Sequence, residues 1–123
     1  LMITVAVIDS YMLVLHAISN QLTSLGFNVS IQAAGWSDFM RQLQQCDAVP
    51  QVCIVDIDTP DIEQYGTAKL IKARYPDMKI IAYTLFERNY KEVKSFGIDL
   101  FVDKGCSIPQ MEKNICGLLS GKL

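Results

Sequence analysis

The chain has 123 residues, half of them hydrophobic and 20% charged, with a formal net charge of -2. That length suits one domain with one core, and that composition excludes a disordered chain. The balance of 13 acids against 11 bases supplies no field for gripping a phosphate backbone, so no direct nucleic acid contact by this segment is expected. The longest apolar stretch, residues 1–8, is too short to cross a bilayer and has no basic flank ahead of it, so we expect no membrane contact and a cytoplasmic location. Leu1 ahead of Met2, a natural start, reads as a residue added during expression, and trimming at the other end is expected with it.

In chain order, residues 3–8 are apolar and β-branched and run into Asp9, which predicts a buried parallel strand. Val14, Ile18, Leu22 and Leu25 then make a helical stripe that stops at Gly26. Residues 28–33 form a weaker strand candidate and 37–45 a helix, with Trp36 near its start as packing. Residues 52–55 repeat the buried strand and end at Asp56. A helix over 62–75 leads to a strand over 79–83 that ends at Thr84. Residues 88–96 make a helix closed by Gly97, and 100–102 a short strand. The last helix carries Ile108, Met111, Ile115 and Leu118 on one side and opens with Ser107 and Gln110 as a capping box.

Five β-α units with right-handed crossovers predict an α/β domain over 1–123: a five-stranded parallel sheet with five helices, doubly wound in the flavodoxin-like order 2-1-3-4-5. Ligands of such sheets bind beyond the carboxyl ends of the strands. Asp9, Asp56 and Thr84 all fall there, with Lys104 just after the fifth strand. Carboxylates favour a hard cation such as Mg²⁺, while the cation, an ammonium and a hydroxyl can meet phosphoryl oxygens. A carboxylate can itself become an aspartyl phosphate. Asp9, Asp56 and Thr84 taken singly are more often caps or turn formers, and Lys104 alone a solvated surface lysine; their joint placement carries the functional reading.

The four cysteines, Cys46, Cys53, Cys106 and Cys116, are too scattered for a disulfide framework or a zinc site and read as reduced, mostly core thiols. His16, the only histidine, reads as a partly exposed helix residue outside the site. Leu85 and Phe86, after the fourth strand, read as apolar contacts for a dimer or as residues folded back on the domain.

Four segments in order carry a resemblance: Val5-Ala6-Val7-Ile8-Asp9; Val52-Cys53-Ile54-Val55-Asp56-Ile57-Asp58-Thr59-Pro60; Ile80-Ile81-Ala82-Tyr83-Thr84; and Gly97-Ile98-Asp99-Leu100-Phe101-Val102-Asp103-Lys104-Gly105. Through them the chain resembles the CheY-like receiver domain of two-component response regulators over essentially its whole length. Lys104-Gly105 and Pro109 after Ser107 look most like the NarL/LuxR kind, which carries a DNA-binding helix-turn-helix output domain, here outside the chain.

The resemblance implies Asp56 as phosphoacceptor and Mg²⁺ ligand, Asp9 as a second ligand and the backbone carbonyl of Asp58 as a third. It implies Thr84 as the switch hydroxyl, Phe101 as the switch aromatic and Lys104 as the ammonium on the phosphoryl group. It further implies a sensor histidine kinase as donor and a phosphorelay switch in transcription regulation rather than an enzyme, with self-dephosphorylation at most; the apolar Leu85, Phe86 and Phe101 region suggests a homodimer or partner surface. Phosphorylation would draw the Thr84 hydroxyl inward and free space for Phe101 to turn, altering the face made by the 88–96 helix, the fifth strand and the last helix.

Two positions depart from the family pattern. Ser10 stands where a second acid is usual, which weakens metal binding, and Leu85 stands where a small residue is usual, which narrows the way to Asp56. They motivate a second reading, a pseudo-receiver that serves as an interaction module with little phosphorylation. A third rests on Asp56-Ile57-Asp58-Thr59, which resembles the nucleophile loop of haloacid-dehalogenase-type phosphatases; there the loop follows the first strand instead of the third. A flavodoxin-like nucleotide binder has less support, because Asp9-Ser10-Tyr11 offers no glycine-rich phosphate loop.

Overall fold

The computed structural model describes residues 2–57, 63–84 and 97–122, with side chains in the third helix from residue 66. The elements are β1 (Thr4–Ile8), α1 (Met12–Ser24), β2 (Asn28–Ala33), α2 (Trp36–Gln45), β3 (Val52–Asp56), α3 (Glu63–Arg74), β4 (Lys79–Thr84), β5 (Leu100–Asp103) and α4 (Ile108–Leu119). The strands form one parallel sheet in the order β2-β1-β3-β4-β5, as expected from the right-handed crossover rule. Four helices are described; the expected helix at 88–96 lies outside the described residues.

Alternation along the strands splits the core in two. Ala6, Ile8, Cys53, Val55, Ile80 and Ala82 face the layer of α2 and α3. Val5, Val7, Val52, Ile54, Ile81 and Tyr83 face α1 and α4. Both sides of β1, β3 and β4 are buried, which is why these strands read as continuous β-branched runs rather than alternating ones. Strands β3 and β4 run one residue further than expected, so Asp56 and Thr84 are the last strand residues themselves.

The stripe on α1 differs from the expected one. Leu15, Ser19 and Leu22 face the core, while Val14 and Leu25 are exposed and Ile18 half-buried. The helix is apolar on most sides over residues 11–15, so periodicity could not select the face; packing on β1 and β2 did. Buried Ser19 is accommodated because its hydroxyl donates to the Leu15 carbonyl at 2.7 Å. The helix ends as expected at Gly26, whose φ of 97° lets Gly26 N–H reach the Thr23 carbonyl and Phe27 N–H the Leu22 carbonyl.

On α4 the expected stripe holds in Met111, Ile115 and Leu118. Ser107 Oγ accepts from the Gln110 N–H at 3.2 Å, but the Gln110 side chain donates to Asn114 Oδ1 instead of closing the box.

The cysteines also depart from expectation: Cys53 is buried, Cys46 and Cys106 are intermediate, and Cys116 is exposed. A cysteine is small enough to sit at a helix surface without an apolar cost, so hydrophobicity alone does not place it. Burial pushes the Cys53 thiol far up, and partial burial beside Asp103 raises that of Cys106. His16 is exposed on α1, and Trp36 is buried against Phe39 with ring centroids 5.8 Å apart, both as expected.

Candidate functional site

The register of the sheet brings the site together. Ile8 pairs with Val55, so Asp9, one residue on, lies level with Asp56 at the end of β3. Asp56 in turn pairs with Tyr83 on β4, and Tyr83 with Val102 on β5. Asp9, Asp56 and Tyr83 therefore form a row across three adjacent strands. Strand alternation directs all three to the α1 and α4 side, because each lies two residues on from a member of that core.

Burial of the row is nearly complete: Asp9 is 1% exposed, Asp56 3% and Tyr83 3%. Buried carboxylates need partners, and these have them. Asp9 Oδ1 accepts the Tyr11 backbone N–H at 2.8 Å, and Asp9 N–H continues the ladder by donating to the Ala33 carbonyl at 3.0 Å. Asp9 Oδ2 accepts the Tyr83 hydroxyl. Asp56 Oδ1 pairs with Lys104 Nζ at 2.9 Å. That lysine is positioned by its own backbone N–H, which donates to the Thr84 carbonyl at 2.9 Å, and its ammonium stands 5.5 Å from the Tyr83 ring centroid.

Thr84 is buried at the end of β4, in register with Asp103. Phe101 pairs with Ala82 and packs on the opposite face, against the α2 and α3 core. Ser10 is exposed beside Asp9. Asp58, Leu85 and Phe86 lie outside the described residues.

Above the row opens a cleft of about 710 Å³ between α1 and α4, lined by Asp9, Tyr83 and Lys104 at one pole and by Val14, Ile18 and Met111 along its walls. The buried acids at that pole, Asp9 and Asp56, offer carboxylate oxygens, the type a small hard dication takes. Two carboxylates alone do not complete such a site: among the described residues no group of three or more His, Cys, Asp or Glu could hold a metal. The remaining ligands would be backbone carbonyls or water.

Asp9, Asp56, Thr84 and Lys104 are thus found together at one end of the sheet, and Phe101 lies across it. Tyr83 was missed as a site residue. Its signal was a phenol closing an otherwise aliphatic buried strand, since a buried tyrosine hydroxyl needs a polar partner.

The topology and this arrangement of buried acids and lysine at the strand ends define a CheY-like receiver fold. Residues 5–116 match the family model described as the response regulator receiver domain, and the chain belongs to that family. Solved structures share the fold. The isolated receiver domain of RcsB from Salmonella enterica serovar Typhimurium, determined with the phosphomimetic BeF₃⁻, is 23% identical, with a TM-score of 0.81 over 99% of this chain and 91% of that one. A longer structure of RcsB from Salmonella typhimurium, described for DNA interaction, is 24% identical with a TM-score of 0.81 over 98% of this chain; the match spans 61% of its length. A LuxR-family DNA-binding response regulator from Staphylococcus aureus is 21% identical, with a TM-score of 0.82 over 96% of this chain and 99% of that one. No curated protein matches the sequence. Among the described residues no helix is long and apolar enough to cross a membrane.

Proposed function

We propose that this receiver is a phosphorylation-gated switch whose phosphoacceptor is Asp56. The observation that carries the reading is the Lys104 ammonium held 2.9 Å from the carboxylate of a buried Asp56, level with Asp9 on the next strand. In the reaction an Asp56 oxygen forms a bond to phosphorus as the bond from phosphorus to the donor breaks. With a sensor histidine kinase the donor is a phosphohistidine, and the imidazole nitrogen leaves with the electron pair and takes a proton. Lys104 already faces the reacting oxygen and can move with it onto the phosphoryl group, opposing the added negative charge.

Asp9 and Asp56, with the carbonyl of Asp58, would hold Mg²⁺, which when bound neutralises phosphoryl oxygens. The Thr84 hydroxyl would take a hydrogen bond position on the phosphoryl group and Phe101 would answer it by turning, altering the β5 surface. The output, by likeness to the LuxR-family structures, is a DNA-binding domain joined to this one, with a homodimer as a further route of signalling. The role is regulatory and not that of a turnover enzyme.

Mass spectrometry after incubation with Mg²⁺ and acetyl phosphate should show a single added phosphoryl group that Asp56→Asn abolishes and Thr84→Ala retains. Equal labelling of Asp56→Asn overturns the assignment. A domain that never labels, yet still binds its partner, would be the pseudo-receiver that Ser10 points to.

A further inference from the structure

The row of side chains contains one group that phosphoacceptor chemistry does not use. Tyr83 leaves β4 on the same face as Asp56, its register partner on β3, yet its hydroxyl reaches Asp9 beyond β1. Two strand spacings separate β4 from β1, about 10 Å. The phenol must therefore lie across the end of β3, over Asp56, to make that bond. The ammonium of Lys104, which pairs with Asp56 Oδ1 at 2.9 Å, stands 5.5 Å from the ring centroid.

From this placement we infer that Tyr83 is a latch on the acidic pair: its hydroxyl occupies the inward oxygen of Asp9 and so sets how tightly the site binds a divalent cation. The inference rests on the reading of Asp9 and Asp56 as the cation site. Asp9 Oδ1 is turned to the Tyr11 N–H, leaving Oδ2 as the oxygen that Tyr83 takes. The hydroxyl hydrogen is the positive end of its dipole, so it lowers the negative potential at the place where a cation would sit. A cation entering there has to displace or share a charge-assisted hydrogen bond in a site almost closed to water.

The surroundings make displacement feasible. Tyr83 faces the cleft of about 710 Å³ between α1 and α4, so the phenol can swing without repacking the sheet. Ser10 fits the same picture: a second carboxylate beside Asp9 would help a cation outbid the phenol, and here there is none. Tyr83 acts as a positioning residue for Asp9, with closed and open forms of the site separated by one hydrogen bond.

Titration of the apo-protein with Mn²⁺ and Mg²⁺ tests this. Tyr83→Phe keeps the ring over Asp56 and removes the hydroxyl, and should bind either ion about tenfold tighter than the parent, the effect of one hydrogen bond to a charged group. In the parent, metal should change the near-UV absorbance of tyrosine as the phenol leaves Asp9, and Tyr83→Phe should lose that change. Tyr83→Leu, which removes hydroxyl and ring together, serves if the phenylalanine variant does not fold, and should also bind more tightly. Equal or weaker affinity in a folded variant overturns the latch while leaving the phosphoacceptor reading standing. No saturable binding in parent or variants overturns the latch together with the cation site on which it rests.

Discussion

Two lysine–aspartate pairs stand at opposite ends of the sheet, and their surroundings differ. At the start of β4 and β5, Lys72 Nζ contacts Asp99 Oδ2 at 2.7 Å and also donates to the Met78 carbonyl at 2.7 Å. Asp99 Oδ2 accepts the Ile80 N–H at 2.8 Å as well. Each charge is therefore tied to a backbone group, and the pair fastens α3 to two strands. At the other end, Lys104 and Asp56 meet beside a cleft, with Asp9 and Tyr83 alongside. The first pair ties α3 to the starts of two strands; the second sets two buried acids and an ammonium at the edge of a cleft. The lesson is that two ion pairs of nearly equal length, 2.7 and 2.9 Å, differ by their surroundings: one lies among backbone groups, the other beside a second buried acid and a cleft.

The sharpest way to break this comparison is to remove one acid from each end. Asp99→Ala should cost about 2–3 kcal/mol of unfolding free energy, since it leaves the Ile80 N–H and the Lys72 ammonium short of an acceptor in a partly buried place. Asp56→Asn should cost nothing and gain up to about 1 kcal/mol, because a buried carboxylate level with Asp9 is itself expensive. Denaturant melts of both variants check this, and equal losses would erase the distinction between clamp and site.

Next in size is Gly97→Ala, expected to cost about 1–2 kcal/mol. Gly97 has φ 88°, and a Cβ there would lie 2.8 Å from Cβ and Cγ of Lys72. The strain falls on the clamp, so the loss should be less than additive with Asp99→Ala in a double-mutant cycle, while metal affinity at the opposite end stays unchanged.

Ser10→Asp sharpens the comparison from the site's side. A second carboxylate beside Asp9 should tighten Mg²⁺ binding by about 1–2 kcal/mol, read by metal titration, and leave the clamp untouched. Equal affinity would mean that the added acid points away from the pair.

The smallest effect concerns a third, exposed pair on α2. Arg41 beside Asp38, with help from Gln42 and the Ala34 N–H, holds the Asp38 carboxyl below its ordinary value of 3.8. A depressed folded value contributes stability above the unfolded pKa, and that contribution is lost as pH falls through the folded value. Asp38→Asn should therefore cost about 0.5 kcal/mol at neutral pH, with solvent screening keeping it small, and nothing in strong acid. Thermal melts across that range follow the difference.

Much of this was legible in the residues. Runs such as Val52 to Val55 ending in Asp56 announce a strand buried on both faces with an acid at its carboxyl end, because only such a strand can afford apolar side chains on both sides. Gly26 and Ser107 marked helix ends through chemistry local to the chain. The buried face of α1 was not legible, since apolar residues surround it, and neither was the clamp, whose members Lys72 and Asp99 are 27 residues apart and meet only through the packing of α3 on the sheet.

By itself, then, the sequence determined the order of the described elements, the parallel sheet and the acids and lysine at the carboxyl ends of its strands, all of which follow from short-range patterns of hydropathy and from crossover handedness. Only the tertiary structure decided which groups touch. Asp9 and Tyr83 are 74 residues apart, and their bond exists because β1, β3 and β4 are neighbours in a register that sets both side chains on one face. Register between distant strands is a property of the packed sheet, fixed by the burial of every residue along it at once, and no local stretch of the chain contains it.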